Sequence, residues 1–168
     1  MILRPRTAAD EPACVEMMAQ VRRHDGYPRH PGPDLRDFLF ARHETGAWVC
    51  DLDDEMAGHV ALHRADDDPV LDAARRATGL AADDLVVVAR LLVSPNHRRR
   101  GVGLALLDVA AQQARAEGRR AVLDVADDDA AAPAAALYAR AGWIPAGITT
   151  FHLRGGVDLD VRLWLSPT

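Results

Sequence analysis

The chain has 168 residues and no lysine; its 20 cationic side chains other than histidine are all arginine. That excludes a Walker-type phosphate loop, which requires a Lys followed by Ser or Thr after its second glycine. Cysteine is scarce: Cys14 and Cys50 are the only two, far apart and in apolar settings. A disulfide framework is therefore not expected, and both are read as buried free thiols. No apolar run approaches the ~20 residues of a membrane span, and Met1-Ile2-Leu3-Arg4-Pro5 lacks the apolar region of a signal peptide. These absences point to a cytoplasmic protein without a membrane partner. The formal charge of −5 argues against a wide basic surface, so no nucleic-acid partner is expected. His24 and His30 share one segment with no Cys or third ligand nearby, so a solvated loop is expected there and no metal. Repeats, low-complexity linkers and composition shifts are also absent, and residues 1–168 read as a single domain. The wealth of Arg, Ala and Asp resembles the codon bias of a GC-rich bacterial genome, which makes any single Arg or Asp less informative.

What is present is concentrated in one stretch, Leu91-Leu92-Val93-Ser94-Pro95-Asn96-His97-Arg98-Arg99-Arg100-Gly101-Val102-Gly103-Leu104. The run Leu85 to Val93 is apolar and β-branched, a strand buried on both faces, and Ser94-Pro95 stops it. Arg90 is its exception, and a charge there must be paired or lie at an open end. From Val102 onward, apolar residues at Val102, Ala105, Leu106 and Val109 recur at helical spacing. Gly101 and Gly103 thus fall at a helix N-terminus, where free amides and the positive dipole end favour an anion. Glycine lets a phosphate approach the main chain, and Arg98, Arg99 and Arg100 add cations. The stretch reads as a phosphate cradle. A dinucleotide fingerprint is excluded, because its third glycine would fall at Leu106 and the strand lies mid-chain.

Around this centre the chain predicts alternating elements. Ile2-Leu3-Arg4 is a short strand, and Thr7 to Asp10 offers caps for a helix whose apolar face is Cys14, Met17, Met18 and Val21. Turn residues from His24 to Pro33 break that helix, and Asp34 caps a second one carrying Leu35, Phe38 and Leu39. Trp48–Leu52 and Met56–His63 form a hairpin around Asp53-Asp54-Glu55. His59 and His63 share strand parity, and two readings stand: an exposed face, or a role at an acceptor site. A helix with Val70, Leu71, Ala74 and Leu80 ends near Gly79. The cradle helix runs to about Glu117, with Gly118 beyond it. Ala121 to Ala126 is a strand, Pro133 opens a helix behind the acidic run Asp127-Asp128-Asp129, and Gly142 closes it. Trp143–Leu153 and Val157–Leu165 form a final hairpin.

The pattern Arg98-x-x-Gly101-x-Gly103 after a strand, together with Leu137-Tyr138-Ala139-Arg140-Ala141-Gly142-Trp143, resembles the GNAT superfamily of N-acetyltransferases. The specific motifs lie between about Arg90 and Trp143. The resemblance implies an α/β fold: a central, mostly antiparallel, twisted mixed sheet of about six to seven strands flanked by helices. It places acetyl-CoA, the acyl-donor cosubstrate, in the splay between the fourth and fifth strands, with no metal. Leu91, Leu92 and Val93 would bond the pantetheine arm, and amides from Arg99 to Leu104, with Gly101, Val102 and Gly103, would hold the pyrophosphate. An N–H near Val93 would polarise the thioester carbonyl. Tyr138 matches the tyrosine that protonates the leaving thiolate and touches the coenzyme. Asp124 stands where relatives place an amine-activating carboxylate, with Asp83, Asp84 and His63 as weaker bases. Tyr27, His30 and His63 would contact the acceptor. An Asn that relatives carry on the pantetheine arm is Ala131 here, and Asp129 is a candidate substitute.

The implied activity is acetyl transfer to a primary amine of a small molecule or peptide by direct attack on the thioester. The acidic runs Asp66–Asp68, Asp83–Asp84 and Asp127–Asp129 could attract a cationic acceptor such as a polyamine, an aminoglycoside or a peptide amine. The alternative is a non-catalytic acyl-CoA-binding sensor with the same fold, which the retained Tyr138 argues against. Nucleic-acid binding through Arg98–Arg100 ranks last. Family habit leaves a homodimer through the final hairpin open.

Overall fold

The computed structural model describes residues 1–28, 34–40, 42–153 and 155–168; His30 lies outside them. Among the described residues seven strands form one mixed sheet, in the spatial order β1 (Ile2–Pro5), β2 (Glu44–Leu52), β3 (Glu55–His63), β4 (Leu85–Val93), β5 (Arg120–Ala126), β7 (Val157–Leu165), β6 (Ile144–Leu153). The chain divides into two compact units, Met1–His63 with Ala89–Ala110 and Arg64–Val88 with Ala111–Thr168.

In the first unit, β1 (Ile2–Pro5) leads into a short 3-10 turn at Ala8–Asp10. Asp10 accepts from the Thr7 amide at 2.7 Å and from both terminal nitrogens of Arg4, and Arg4 also donates to Asp51. The Arg4 guanidinium holds the Asp10 carboxyl well below the usual carboxylate range, so the start of the following helix is clamped to the edge strand. Helix α1 (Glu11–Asp25) buries Cys14, Met17, Met18 and Val21, the predicted face. It does not break at His24. Arg22, Arg23 and His24 suit the negative helix end, and Gly26, at φ +72°, supplies the left-handed residue that ends it. Helix α2 (Leu35–Leu39) is capped by Asp34, which accepts from the Arg36 amide at 2.7 Å. Strands β2 (Glu44–Leu52) and β3 (Glu55–His63) are an antiparallel hairpin. The turn is shorter than expected. Asp53 and Asp54 both have positive φ, as a two-residue hairpin loop requires, and Glu55 already belongs to β3. Burial pushes the Cys14 thiol up to about 11, and both cysteines are free.

In the second unit, α3 (Pro69–Thr78) is capped by Asp68 and ends at Gly79, with Leu80 outside it. Strand β4 (Leu85–Val93) runs from this unit into the first. Its Leu85–Val88 half is buried, but Leu91 and Val93 are only half-buried, so the expectation of full burial fails at the cradle end. Helix α4 (Val102–Ala116) precedes β5 (Arg120–Ala126), which pairs with β4 in parallel from Leu85↔Arg120 to Val87↔Val122. A parallel step needs a crossover, and α4 provides it. Helix α5 (Ala132–Arg140) has Pro133 in its first turn, and Gly142 follows it at φ +77°. Strands β6 (Ile144–Leu153) and β7 (Val157–Leu165) are the final hairpin, with β7 beside β5.

Candidate active site

The cradle turn is built as its composition requires. Pro95–His97 is a 3-10 turn, Arg99 is left-handed at φ +62°, and Gly101 follows at φ +86°. Helix α4 then begins, its first main-chain bond running from Ala105 N–H to Gly101 O at 3.1 Å. The amides of Val102, Gly103 and Leu104 precede that bond and carry the positive end of a 15-residue helix. Nothing lies within 4 Å of the point where a Cβ on Gly101 would stand. The turn therefore has the donors and the open approach that a pyrophosphate needs, and it fits the phosphate arm of coenzyme A.

The three arginines do not act alike. Arg98 forms a two-pronged ion pair with Asp25 at the end of α1, one contact being 3.0 Å, and Arg100 pairs with Asp53 at 2.6 Å. Both carboxyls are held below their ordinary range, first by hydrogen bonds from those arginines. Arg99 is exposed and has no carboxylate partner among the described residues. Two of the three expected phosphate cations are thus already neutralised, leaving the main chain and Arg99 as the principal anion donors.

Immediately upstream, β4 is kinked. Arg90 has φ +55° in mid-strand, and its Nε donates to Phe38 O at 2.7 Å while its guanidinium lies 3.7 Å from the Phe38 ring centroid. This is how the one charge in the strand is accommodated. Tyr27 packs edge-on against the other partner of that stack, its ring 6.3 Å from that of Phe38. Ser94 N–H donates to Ala57 O at 2.9 Å, so the strand alternation turns the Val93 amide away from β3.

Beneath α2 lies a polar cluster of the first unit. His59 Nδ1 is 2.9 Å from Arg90 O and His59 Nε2 is 2.9 Å from Arg6 Nη1. A carbonyl cannot donate and a guanidinium cannot accept, so the proton sits on Nδ1 and the ring is neutral. Arg6 also donates to Glu44 at 2.6 Å and stacks over Phe40. Among the described residues, Glu44 Oε2 and His63 Nε2 are buried without a hydrogen-bond partner. Glu44 and His63 are cross-strand partners, which places them on one face with His59. Both histidines are buried, at 0% and 6% exposure, which overturns the exposed-face reading. The face is covered because α1 and α2 pack on it. Burial, then the charges of Arg6 and Arg90, pushes both imidazoles down to about 4, so each is neutral near pH 7.

Tyr138 and Asp124 belong to the second unit. Tyr138 is 7% exposed on α5, with its ring 5.8 Å from Trp164 and 6.5 Å from Trp143. Asp124 is half-buried on β5 opposite Leu163, whereas Trp164 is opposite Leu123. Successive residues alternate faces, so Asp124 points to the other side of β5 from the ring that Tyr138 packs against. Just upstream on the chain, Arg119 donates to Glu117 and Arg120 to Ser166 O. The acidic runs have local duties: Asp68 caps α3, Asp83 pairs with Arg64, Asp127 with Arg162, and Asp128 caps the 3-10 turn that ends at Ala131. Asp128 and Asp129 thus stand at a helical start, whereas Asp127 is taken up by Arg162. Sequence reasoning missed Arg6, Glu44 and Phe38, which carry no motif and meet only in the folded chain. Among the described residues no group of three metal-ligating side chains is found, and no helix is long and apolar enough to cross a membrane.

The acetyltransferase (GNAT) family model matches residues 14–143, a span that contains the cradle, the kinked strand and Tyr138. The chain belongs to the GNAT family. Solved GNAT-type structures share its fold at low identity. The ribosomal-protein-S18-alanine N-acetyltransferase of Escherichia coli is 17% identical with a TM-score of 0.67, over 99% of this chain and 92% of that one. An N-acetyltransferase of Staphylococcus aureus is 16% identical with a TM-score of 0.73, over 98% and 96%. A proposed acetyltransferase of Salmonella typhimurium, solved with its cofactor acetyl-CoA, is 17% identical with a TM-score of 0.70, over 98% and 92%. No curated protein matches the chain by sequence at a significant level.

Proposed function

We propose that this GNAT protein is an acetyl-CoA-dependent N-acetyltransferase that moves an acetyl group to a primary amine of a small molecule or peptide. Family membership supports the transfer chemistry. The observation that carries the donor assignment is the open Gly101 turn at the head of α4, directly after the kinked end of β4. Acetyl-CoA supplies the acyl group already activated as a thioester. In this reading the amides of Val102, Gly103 and Leu104 bind the pyrophosphate, with Arg99 adding the free cation. Leu91–Val93 align the pantetheine arm, and the outward Val93 N–H stabilises charge growing on the carbonyl oxygen. Tyr138 gives its proton to the departing sulfur. Asp124, turned to the other side of β5, accepts the amine proton through water. Tyr27, beside the Phe38–Arg90 stack, and His63 are the acceptor contacts in this reading.

The test is release of free thiol from acetyl-CoA with a panel of primary amines, comparing the native chain with Tyr138→Phe. Amine-dependent thiol release that falls about 10²-fold in the variant is expected for loss of a general acid. Native activity undiminished by the substitution would remove Tyr138 from the chemistry. Failure of the native chain to bind acetyl-CoA would sink the whole reading.

A further inference from the structure

The kink in β4 is held from two directions. A left-handed L-residue within a strand persists only where its surroundings over-determine it. Arg90 meets that condition: its carbonyl accepts from His59 Nδ1 at 2.9 Å, and its side chain is bonded to Phe38 O and stacked on the Phe38 ring. His59 is fixed in turn, because Nε2 accepts from Arg6, which is anchored to Glu44 and stacked over Phe40. Arg6, Glu44, His59 and Phe40 therefore form one connected support behind Arg90, linked by hydrogen bonds and the Arg6–Phe40 stack. The kink immediately precedes Leu91–Val93, so the φ of Arg90 sets the direction in which the next amides point.

We propose that His59 is a positioning residue for acyl transfer, its Nδ1–H···O bond to Arg90 locking the β4 kink so that the Val93 amide faces the thioester oxygen. The inference rests on the acetyltransferase reading given above, and it adds a residue that the motifs do not contain. His59 touches neither substrate nor coenzyme in this scheme. It acts through the main chain of Arg90.

Two substitutions separate this role from simple core packing. His59→Asn keeps a side-chain N–H near the Nδ1 position, whereas His59→Gln keeps a polar group near Nε2 and loses the Nδ1 donor. The Gln variant is expected to lose about tenfold or more in kcat, short of the roughly 10²–10³-fold loss that follows outright removal of an oxyanion donor. Its KM for acetyl-CoA should rise by a smaller factor than kcat falls, because the Gly101 cradle that holds the pyrophosphate is untouched and only the pantetheine contacts of Leu91–Val93 shift. The Asn variant should keep most of kcat. In ¹H–¹⁵N spectra the Leu91–Val93 amides should shift in the Gln variant and stay near native in the Asn variant. Equal kcat in the two folded variants, or amides that move equally in both, would overturn the proposal. If the Gln variant does not fold, the native protein still decides: histidine ¹⁵N shifts must show His59 protonated on Nδ1, and the opposite tautomer refutes the lock. A native chain that neither binds nor turns over acetyl-CoA would instead sink the functional reading, and this role with it.

Discussion

Acidification should unfold this protein through His59 and His63 before its carboxylates come into play. Both imidazoles are buried and held at about 4, against 6.5 for an ordinary histidine. Between those values the unfolded chain takes up a proton on each ring while the folded chain does not. The unfolded state therefore binds more protons in this window, and stability is lost as pH falls from 6.5 towards 4. Linkage arithmetic gives a loss of about 2 kcal/mol per histidine between pH 7 and pH 5, and about 3 kcal/mol each by pH 4. Together these are a large share of the 5–15 kcal/mol that holds a typical domain together. The paired carboxylates Asp10, Asp25 and Asp53 are held below their normal range, so they contribute their losses only at lower pH. Urea unfolding followed by fluorescence of the three tryptophans at pH 7, 6 and 5 measures the slope. His63→Leu should halve it, and at pH 7 should gain roughly 1 kcal/mol by removing the buried unpartnered Nε2. An unfolding free energy constant to within about 1 kcal/mol from pH 7 to pH 5 would refute neutral burial of the two rings.

Two glycines separate packing from binding. A Cβ at Gly58 would lie 2.7 Å from Leu106 Cδ1, 2.8 Å from Val102 Cγ1 and 2.9 Å from Leu92 O. The carbonyl cannot yield, so Gly58→Ala should cost about 2–3 kcal/mol and, by shifting the head of α4, weaken acetyl-CoA binding; native melting and calorimetric affinity together would contradict this. Gly101→Ala meets no neighbour and should cost only the left-handed strain, about 1 kcal/mol, while its methyl obstructs the phosphate approach. A large loss of acetyl-CoA affinity at nearly native stability is expected, and unchanged affinity would remove Gly101 from the cradle.

Local chemistry wrote much of this molecule into its sequence. The apolar spacing of Cys14, Met17, Met18 and Val21 determined a helix face, because a 3.6-residue period permits only one stripe to be buried. Gly101 and the run after it determined a helix start with free amides, a property of backbone geometry that needs no distant partner. The β-branched stretch before Ser94 determined the strand. Tertiary structure decided what these elements meet. His59 and His63 have the same parity whether their face is wet or dry, and only the docking of α1 and α2 made it dry. Arg98 and Arg100 are cations in any fold, but Asp25 and Asp53, some 70 and 50 residues away in sequence, neutralised them. The kink at Arg90 depends on a histidine from β3 and a phenylalanine from α2. Hydrophobic period and backbone hydrogen bonding act within a few residues and so are legible in sequence, whereas desolvation and charge pairing depend on which distant side chains are brought together.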